Sequence, residues 1–339
     1  IAELLKSFAD RDGHHPVMTL GIVLATADGG KTLASGSYQR EIISPRTHAP
    51  LLEVISSGVE SGVFSVQLHG MEHFWPPAIM AACTTDNAVA DWLRDAPAAR
   101  TEDLPAALQS RWVDASSLPA RPLEAGSIQQ AVREETGVFR EIFGRLPAVA
   151  VPPTFIWNAD VEYAWATSGV GVIVTPGARY ESRDANGRPA GRGDLLYNGQ
   201  PGDGNVIYLV RDVYFEPAFG HTGNQALAAL ADRTELGRPA LFETHRFNFL
   251  GAGEDRDRSM TELRRLLQLA VERFPGVAFM SSGELAKIIA QRPPEWIEQR
   301  WRRRVHVWLS RLGRVPRLRK LGWLSGWMLP AGLLWRISA

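Results

Sequence analysis

Two histidines four residues apart are the first sign of chemistry in this chain. The segment "QLHGMEHFW" (67–75) contains His69 and His73 and directly follows an apolar run. Four residues make one helical turn or one tight loop, so both imidazoles can point at a single ion. The glutamate stands third after the first histidine, unlike in the His-Glu-x-x-His helix of metalloproteases. Spacing alone leaves a metal site and an ordinary loop equally open.

Polar residues also follow other apolar runs that read as strands. Arg211 and Asp212 follow "VIYLV" (206–210), and His245 follows "ALFET" (240–244). In a barrel of parallel strands, the loops after the strands converge over one end and carry the reactive groups. An isolated histidine at such a place is more often a hydrogen-bonded structural residue than a ligand.

The elements that must position these residues alternate between strand and helix. Seven short apolar runs rich in β-branched residues are separated by stretches of helical period. The predicted strands are 17–25, 64–68, 148–152, 171–175, 206–210, 240–244 and 277–281, and the predicted helices include 127–146, 158–169, 224–235 and 259–274. The pattern predicts an α/β fold. Seven strands favour a barrel, with a doubly wound open sheet as the alternative.

Composition sets outer limits on function. Lysine plus arginine equal aspartate plus glutamate at 37 each, so net charge gives no reason to expect nucleic acid or acidic ligands. The single cysteine, Cys83, excludes an internal disulfide.

Residues 179–205, rich in Gly, Asp, Asn and Arg, predict a long loop or a small hairpin. The opening "IAELLKSFADRDGHH" predicts a helix and a turn and lacks a signal-peptide pattern. We expect that a segment upstream of Ile1 has been lost.

The composition changes near residue 292, which we take as the start of a basic, Trp-rich, amphipathic helical tail (292–339). From Arg300 onward there are ten basic residues and no acidic one, and six of the 11 tryptophans lie in the tail. The uncharged run "LGWLSGWMLPAGLLW" is shorter than the roughly 20 apolar residues of a spanning helix. We expect residues 296–339 to contact an anionic membrane peripherally. The alternative is a terminal helix docked on the protein's own core.

Three segments resemble those of the polysaccharide deacetylase family, in particular a bacterial branch with a His-Gly-x-Glu-His segment. They are "VQLHGMEHF" (66–74), "FETHRFNFLG" (242–251) and "FMSSGELAKII" (279–289). The opening "LLKSFADRDGHHPVMTLGIVLA" is similar to the stretch that follows the first strand in that branch. The resemblance implies a distorted (β/α) barrel of the glycoside hydrolase/deacetylase type over residues 1–291, lacking its first strand.

The resemblance also implies a divalent metal, with zinc expected, bound by an aspartate and two histidines spaced His-x-x-x-His. His69 and His73 match that pair. His245 corresponds to the histidine that protonates the leaving amine or alkoxide. This chemistry is physically sound, because a metal polarises the acyl carbonyl and lowers the pKa of its water, while a histidine can donate a proton near pH 7.

The chain departs from the family pattern in two places. The adjacent aspartates of the family's first motif do not occur before His69, and Asp10 and Asp12 belong to a helix end and a turn. We expect that motif to lie upstream of Ile1. The family's arginine before a proline is also missing, since the matching segment reads "VPPTFIWN" (151–158).

Several neighbouring residues are candidates for supporting roles. Arg211 or Arg246 could orient the base or contact substrate, as could Asp212, and Glu72 could orient one of the two histidines through a hydrogen bond. A solvent-facing Glu72 is the alternative. Aromatic residues near the motifs could stack on sugar rings, although core packing is their more frequent use. These aromatic candidates are Trp75 and Trp157, with Phe74 and Phe247. His221, in "FGHTGN", is a further histidine of interest.

Three functions are consistent with these patterns. The leading hypothesis is metal-dependent deacylation, in particular N-deacetylation, of a carbohydrate made at or attached to a bacterial membrane, with the cytoplasmic face favoured. The second is a catalytically silent, membrane-associated protein that binds carbohydrate or acts as a scaffold on the same barrel. The third is a glycosidase that uses two carboxylates among Asp212, Glu216 and Glu243. Nucleic acid is not expected as a partner, because the leucines after Lys320 have no part in binding phosphates.

Overall fold

The computed structural model describes residues 1–97, 100–191, 193–251 and 253–338. The chain divides into two compact units, here named the sheet unit (2–211 and 278–286) and the helical unit (212–277 and 287–339, with Ile1). Arg192, in the predicted loop 179–205, and Ala339, at the end of the predicted tail, lie outside the described residues. The predicted domain boundary at 291/292 stays a prediction.

A five-stranded parallel sheet is the largest sheet of the sheet unit. Its strands are β1 (Met18–Ile22), β2 (Phe64–Leu68), β3 (Val149–Ala150), β4 (Val172–Thr175) and β5 (Ile207–Val210). They are hydrogen-bonded in that same order, and each neighbouring pair is parallel. The order contains no reversal of the kind that defines a doubly wound sheet. The predicted mixed α/β fold with parallel strands is therefore confirmed.

Burial explains why these apolar runs form strands. All four residues of β4 are buried, as expected for a strand of a parallel sheet that is covered on both faces. Leu68, Ala150 and Ile173, on three adjacent strands, belong to one apolar core cluster. Gly58 allows the preceding helix to approach β2, because a Cβ at Gly58 would lie 2.0 Å from the ring of Phe64.

Helices α1 to α7 belong to the sheet unit, and the longest of them, α6, shows how the sequence pattern is used. They are α1 (Ala2–Lys6), α2 (Gly29–Ser35), α3 (Pro45–Glu60), α4 (Pro76–Ala82), α5 (Asn87–Asp95), α6 (Ala125–Phe143) and α7 (Ala159–Thr167). The buried residues of α6 recur every three or four positions: Ile128, Ala131, Val132, Glu135, Thr136 and Phe139. Its apolar stripe therefore contains one carboxylate. The helix ends at Gly144, whose φ of 69° suits glycine.

The sheet unit also contains short pairs of antiparallel strands. They are Ala25–Ala27 with Arg40–Ile42, Val113–Asp114 with Arg121–Pro122, Ala178–Arg179 with Asp194–Leu195, and Ser182–Arg183 with Pro189–Ala190. The last two pairs lie in or beside residues 179–205. The predicted small hairpin in that segment is therefore confirmed.

The helical unit contains one short parallel pair, β6 (Val213–Tyr214) with β7 (Phe242–Glu243). Its helices are α8 (Gly223–Glu235), α9 (Glu254–Arg273), α11 (Trp301–Gly313), α12 (Pro316–Leu324) and α13 (Met328–Ser338), and α10 (Ser282–Gln291) begins in the sheet unit. The side chain of Thr222 caps α8 and completes a capping box with Gln225. None of the described helices has both the length and the apolar character that crossing a membrane requires.

The strand predicted at 277–281 is wrong, because those residues form no strand. The backbone N–H of Phe279 donates to the carboxylate of Asp10 at 3.0 Å, and that of Ser281 donates to Glu284 at 2.7 Å. Side chains thus satisfy donors that a strand would need for its ladder. The strand predicted at 240–244 is reduced to β7 and pairs with β6.

Candidate functional site

His69 lies at the carboxyl end of β2, where the loops of a parallel sheet carry functional groups. Its backbone N–H donates to Ile22 O at 2.8 Å, which extends the pairing of β2 with β1 by one residue. Gly70 then turns the chain with a φ of 97°, and a Cβ there would lie 3.0 Å from Glu72 O. A glycine at this position therefore allows the tight loop that returns His73 towards His69.

The two imidazoles of this loop, here named the histidine pair, converge on one point. The Nε2 atoms of His69 and His73 are 3.1 Å apart. The Nδ1 atom of His69 lies 2.9 Å from the carbonyl oxygen of Val151, which can only accept, so Nδ1 carries the proton. The lone pair of His69 is consequently on Nε2, the atom that faces His73. This is the tautomer that a metal-binding histidine needs, with its other nitrogen held by a carbonyl.

The histidine pair fits a zinc ion in donor type and in spacing. Two imidazoles bound to tetrahedral zinc at about 2.0–2.1 Å place their nitrogens about 3.3 Å apart, close to the separation observed. The tight loop at Gly70 brings the two imidazoles this close together. Within the described ranges, no group of three or more His, Cys, Asp or Glu side chains is placed to hold an ion. Among the described residues, the candidate ligands are therefore His69 and His73.

Glu72, between the two histidines, has a different role from either one predicted. Its side chain is fully buried, with Oε2 2.7 Å from Arg111 Nη1 and Oε1 2.6 Å from Arg40 Nε. Burial beside this carboxylate raises the pKa of Tyr38, whose hydroxyl donates to Oε1 at 3.4 Å. The prediction that Glu72 orients a histidine is wrong, because two arginines and a tyrosine take its oxygens. A solvent-facing Glu72 is excluded as well.

Arg111 joins this buried cluster to the following residues of the loop. Its side chain is 1 % exposed and also donates to Phe74 O at 3.4 Å. The guanidinium lies 5.6 Å from the ring centre of Trp75 and 5.7 Å from that of Trp112. The loop that carries the histidine pair is thus fixed by the positive charge of Arg111, which lies 39 residues after Glu72 in the sequence.

A second buried carboxylate, Glu135 of α6, holds the same loop from another side. Its Oε2 accepts from the backbone N–H of Met71 at 3.1 Å, and its Oε1 accepts from Trp165 Nε1 at 2.8 Å. Complete burial raises the pKa of Glu135 to about 7, although the charge of Arg111 opposes the rise. The hydrogen bond from Met71 to Glu135 and the ion pairs of Glu72 together fix the middle of the histidine loop.

The predicted stacking residues differ in exposure. Trp157 is 0 % exposed, and its Nε1 donates to Glu162 at 2.7 Å. The prediction that Trp157 stacks on a sugar is therefore wrong, because no face of the ring is open. Phe74 is also buried. Trp75 is half-buried and stays a candidate, as does the exposed Phe247.

Arg211 follows β5 as predicted, so it lies at the same edge of the sheet as His69. Its guanidinium lies 4.8 Å from the ring centre of Phe155, and its backbone N–H donates to Thr175 O at 2.9 Å. These contacts hold the arginine at the strand end. Its predicted role in orienting a base or contacting substrate stays a prediction.

In the helical unit, His245 forms a pair with the buried Glu216, which was predicted only as a glycosidase carboxylate. The Nδ1 atom of His245 lies 2.5 Å from Glu216 Oε1, and Asn248 Nδ2 donates to Glu216 Oε2. Burial alone would raise the pKa of Glu216, but the hydrogen bonds from His245 and Asn248 outweigh burial and lower it. The ionised carboxylate therefore fixes the proton of His245 on Nδ1 and presents Nε2 for proton transfer.

The surroundings of His245 suit an exchange of protons. Its side chain is 52 % exposed, and its ring stacks on Phe247 with planes 5° apart. Glu243 Oε1 lies 3.7 Å from His245 Nε2, so a second buried carboxylate faces that nitrogen. His221 Nδ1 lies 3.2 Å from the backbone N of Glu216 and belongs to the same cluster.

The remaining candidates of the helical unit have more ordinary surroundings. Asp212 Oδ2 lies 2.7 Å from Arg233 Nε, and burial raises the pKa of Asp212 against the effect of that arginine. Its predicted contact with substrate stays a prediction, as does that of the exposed Arg246. The glycosidase hypothesis loses support, since Glu216 is held by His245 and Asn248 and Asp212 by Arg233.

No protein-family model matches the chain, and no curated protein matches it.

Proposed function

We propose that this chain is a metal-dependent carbohydrate deacylase, in particular an N-deacetylase, built on a distorted (β/α) barrel of the polysaccharide deacetylase type. The observation that carries the proposal is the convergence of His69 Nε2 and His73 Nε2 at the carboxyl end of β2. The succession of β1 to β5 in chain order supports the barrel, because a barrel is built from parallel strands that follow one another around the axis.

The residues that would hold the ion are His69 and His73, with zinc as the metal that best fits two imidazoles. When bound, such an ion polarises an acyl carbonyl and lowers the pKa of water. Val151 O keeps the proton of His69 on Nδ1, so that Nε2 remains a donor to the metal. Glu216 keeps the proton of His245 on Nδ1, so that Nε2 can transfer a proton to the leaving amine or alkoxide.

Zinc binding tests the histidine pair directly. The protein is expected to bind about one zinc ion per chain in calorimetric titration and in metal analysis after dialysis. His73→Gln and His69→Gln are each expected to lose this binding, because each removes one of the two converging nitrogens. His14→Gln, which makes the same chemical change in an exposed turn, is the matched control and should keep it. Equal zinc binding by all four proteins would refute the assignment.

A second experiment tests His245 separately from the metal. Glu216→Gln and His245→Ala are expected to reduce kcat for release of acetate from an acetylated chitooligosaccharide about 100-fold, the low end of the general acid–base contribution. Zinc binding should be unchanged, because neither residue is assigned to the ion. His14→Ala serves as the control.

The readouts also separate this proposal from a catalytically silent protein. Binding of the oligosaccharide by His245→Ala at wild-type affinity, with no acetate released by the wild-type protein loaded with zinc, would favour the carbohydrate-binding or scaffold function. Wild-type kcat in both Glu216→Gln and His245→Ala would remove His245 from the mechanism and leave the histidine pair untouched.

A further inference from the structure

The first helix of the tail, α11, is attached to the end of α8 within the helical unit. Arg311 donates to the carbonyl oxygens of Leu236 and Gly237, each at 2.8 Å. Arg314 forms ion pairs with Asp232 and with Glu235. These two cations are therefore used inside the protein, and they fix the base from which the rest of the tail extends.

The last helix, α13, is attached in turn to α11. The ring of Trp335 stacks on His306 with centres 4.7 Å apart, and its Nε1 donates to Ser310 Oγ at 2.8 Å. The backbone oxygen of Trp335 lies 3.1 Å from His306 Nδ1. Trp335 thus serves the protein's own packing, unlike the other tryptophans that follow Lys320.

Beyond these attachments, the segment 315–337 exposes a large apolar surface, here named the tail surface. Helix α12 has no buried residue. Trp323 and Trp327 are 64 % and 71 % exposed, which is unusual for residues of this size. The other strongly exposed apolar side chains of the segment are Val315, Leu318, Leu321, Leu324, Leu329, Leu333, Leu334 and Ile337. So many exposed apolar side chains in one short segment indicate a surface that binds a partner.

The charge of the tail surface identifies the kind of partner. Its cations are Arg317, Arg319, Lys320 and Arg336, all exposed, and no acidic residue follows Glu298. In the part of the chain that the structure describes, these four cations form no salt bridge with an acidic side chain. A second copy of the same basic surface would be repelled, and nucleic acid would leave the leucines and tryptophans exposed. A surface that is both anionic and apolar satisfies both features.

We propose that the tail surface docks on an anionic lipid bilayer, with Trp323 and Trp327 at headgroup depth and Arg317, Arg319 and Lys320 against lipid phosphates. The attachments of α11 hold the helical unit at that membrane. This inference goes beyond the proposed deacylase activity and does not depend on it, since every residue that carries it lies outside the histidine pair and the Glu216–His245 pair.

Vesicle flotation with the full chain tests the proposal. The protein is expected to float with vesicles of phosphatidylcholine and phosphatidylglycerol, to bind vesicles of phosphatidylcholine alone far more weakly, and to dissociate at high salt. The triple variant Arg317→Gln/Arg319→Gln/Lys320→Gln should lower the partition coefficient about 100-fold, at roughly fivefold for each cation. Arg256→Gln/Arg264→Gln/Arg273→Gln, the same charge change on exposed residues of α9, is the control and should bind as the wild type does.

The double variant Trp323→Ser/Trp327→Ser separates lipid insertion from charge attraction. It should weaken binding to the anionic vesicles while keeping the wild-type charge and circular dichroism. The proposal would be overturned by no flotation with anionic vesicles, by equal flotation of the triple variant and its α9 control, or by a stable dimer that the tryptophan variant dissociates. Binding of RNA but not of vesicles would overturn it too. Loss of zinc binding or of activity elsewhere leaves this test unaffected.

Discussion

Replacement of Arg111 by methionine is expected to lower the free energy of unfolding by about 3 kcal/mol, the low end of the cost of breaking a buried ion pair, because Glu72 keeps only the partly exposed Arg40 as a partner. Arg111 is 1 % exposed, and its guanidinium lies 2.7 Å from Glu72 Oε2. Methionine keeps much of the apolar volume between Trp75 and Trp112, so the loss reports chiefly on the charge. Urea unfolding followed by tryptophan fluorescence measures it.

Arg40→Met provides the matched comparison, because Arg40 pairs with the other oxygen of the same carboxylate. Its side chain is 21 % exposed and also pairs with the half-exposed Glu134, so water can replace part of its interaction. We expect a loss of about 1 kcal/mol, near that of a surface pair. Comparable losses for Arg40→Met and Arg111→Met would contradict the burial argument.

A double-mutant cycle tests whether Glu72 is the cause. In the Glu72→Gln background, Arg111→Met should cost at least about 2 kcal/mol less than in the wild type, because no buried charge is left unpaired. Additive losses would show that Arg111 acts through packing alone. Arg111→Met should also weaken zinc binding, because Arg111 holds Glu72 and Phe74 O in the loop that carries His69 and His73.

The parts of this fold that follow from local pattern are the parts that sequence predicts. The helix predicted at 127–146 occurs at Ala125–Phe143, and the strand predicted at 64–68 occurs at those residues. Both signals are periodicities of apolar residues within one element. The strand predicted at 277–281 fails because the decisive partner is Asp10, at the other end of the chain. No local window contains that information.

The same distinction applies to the candidate site. The histidine pair is visible in the sequence because its spacing is local. The role of Glu72 cannot be predicted from the neighbouring sequence, because its partners Arg111 and Tyr38 lie more than thirty residues away along the chain. The sequence places Trp157 near a motif, which suggests a stacking role for its ring. Only the structure shows that the ring is buried.

One missed residue did leave a signal. Glu135 follows Ile128, Ala131 and Val132 on the apolar stripe of α6, at the spacing of a core position. A carboxylate on such a stripe is buried, and it destabilises the fold unless hydrogen-bond donors surround it. The sequence could have identified Glu135 as a buried acid, but not Met71 and Trp165 as its partners.

Glu135 should make stability fall as pH rises from about 4.5 to about 7, by about 3 kcal/mol. Its folded pKa is about 7 against an ordinary value of 4.5. Across this interval the unfolded chain has released the proton while the folded protein still binds it, so proton release favours unfolding. Below the interval the contribution is fully present, and above pH 7 it is fully lost. Glu135→Gln, which cannot titrate, should lack this component of the pH dependence.

Glu134→Gln isolates the effect of burial. Glu134 is the neighbouring residue of α6, its side chain is 49 % exposed, and its partner is Arg40. The substitution makes the same change of side chain in the same helix, so the variant should retain the wild-type slope between pH 4.5 and 7. All other ionisable groups are common to the wild type and Glu135→Gln. The difference in unfolding free energy between Glu135→Gln and the wild type, measured by urea unfolding at each pH, therefore reports on Glu135 alone.

The absolute stability of Glu135→Gln carries separate information. Glutamine can accept from only one of the two N–H donors, Met71 N and Trp165 Nε1, and its amide group faces the other. An unsatisfied buried donor costs about 1–3 kcal/mol, so the variant should be less stable than the wild type at pH 4.5 and should recover relative to it as pH rises. A constant difference across the interval would mean that Glu135 does not change its protonation there. In that case its hydrogen bonds to the histidine loop, rather than its burial, would govern its charge.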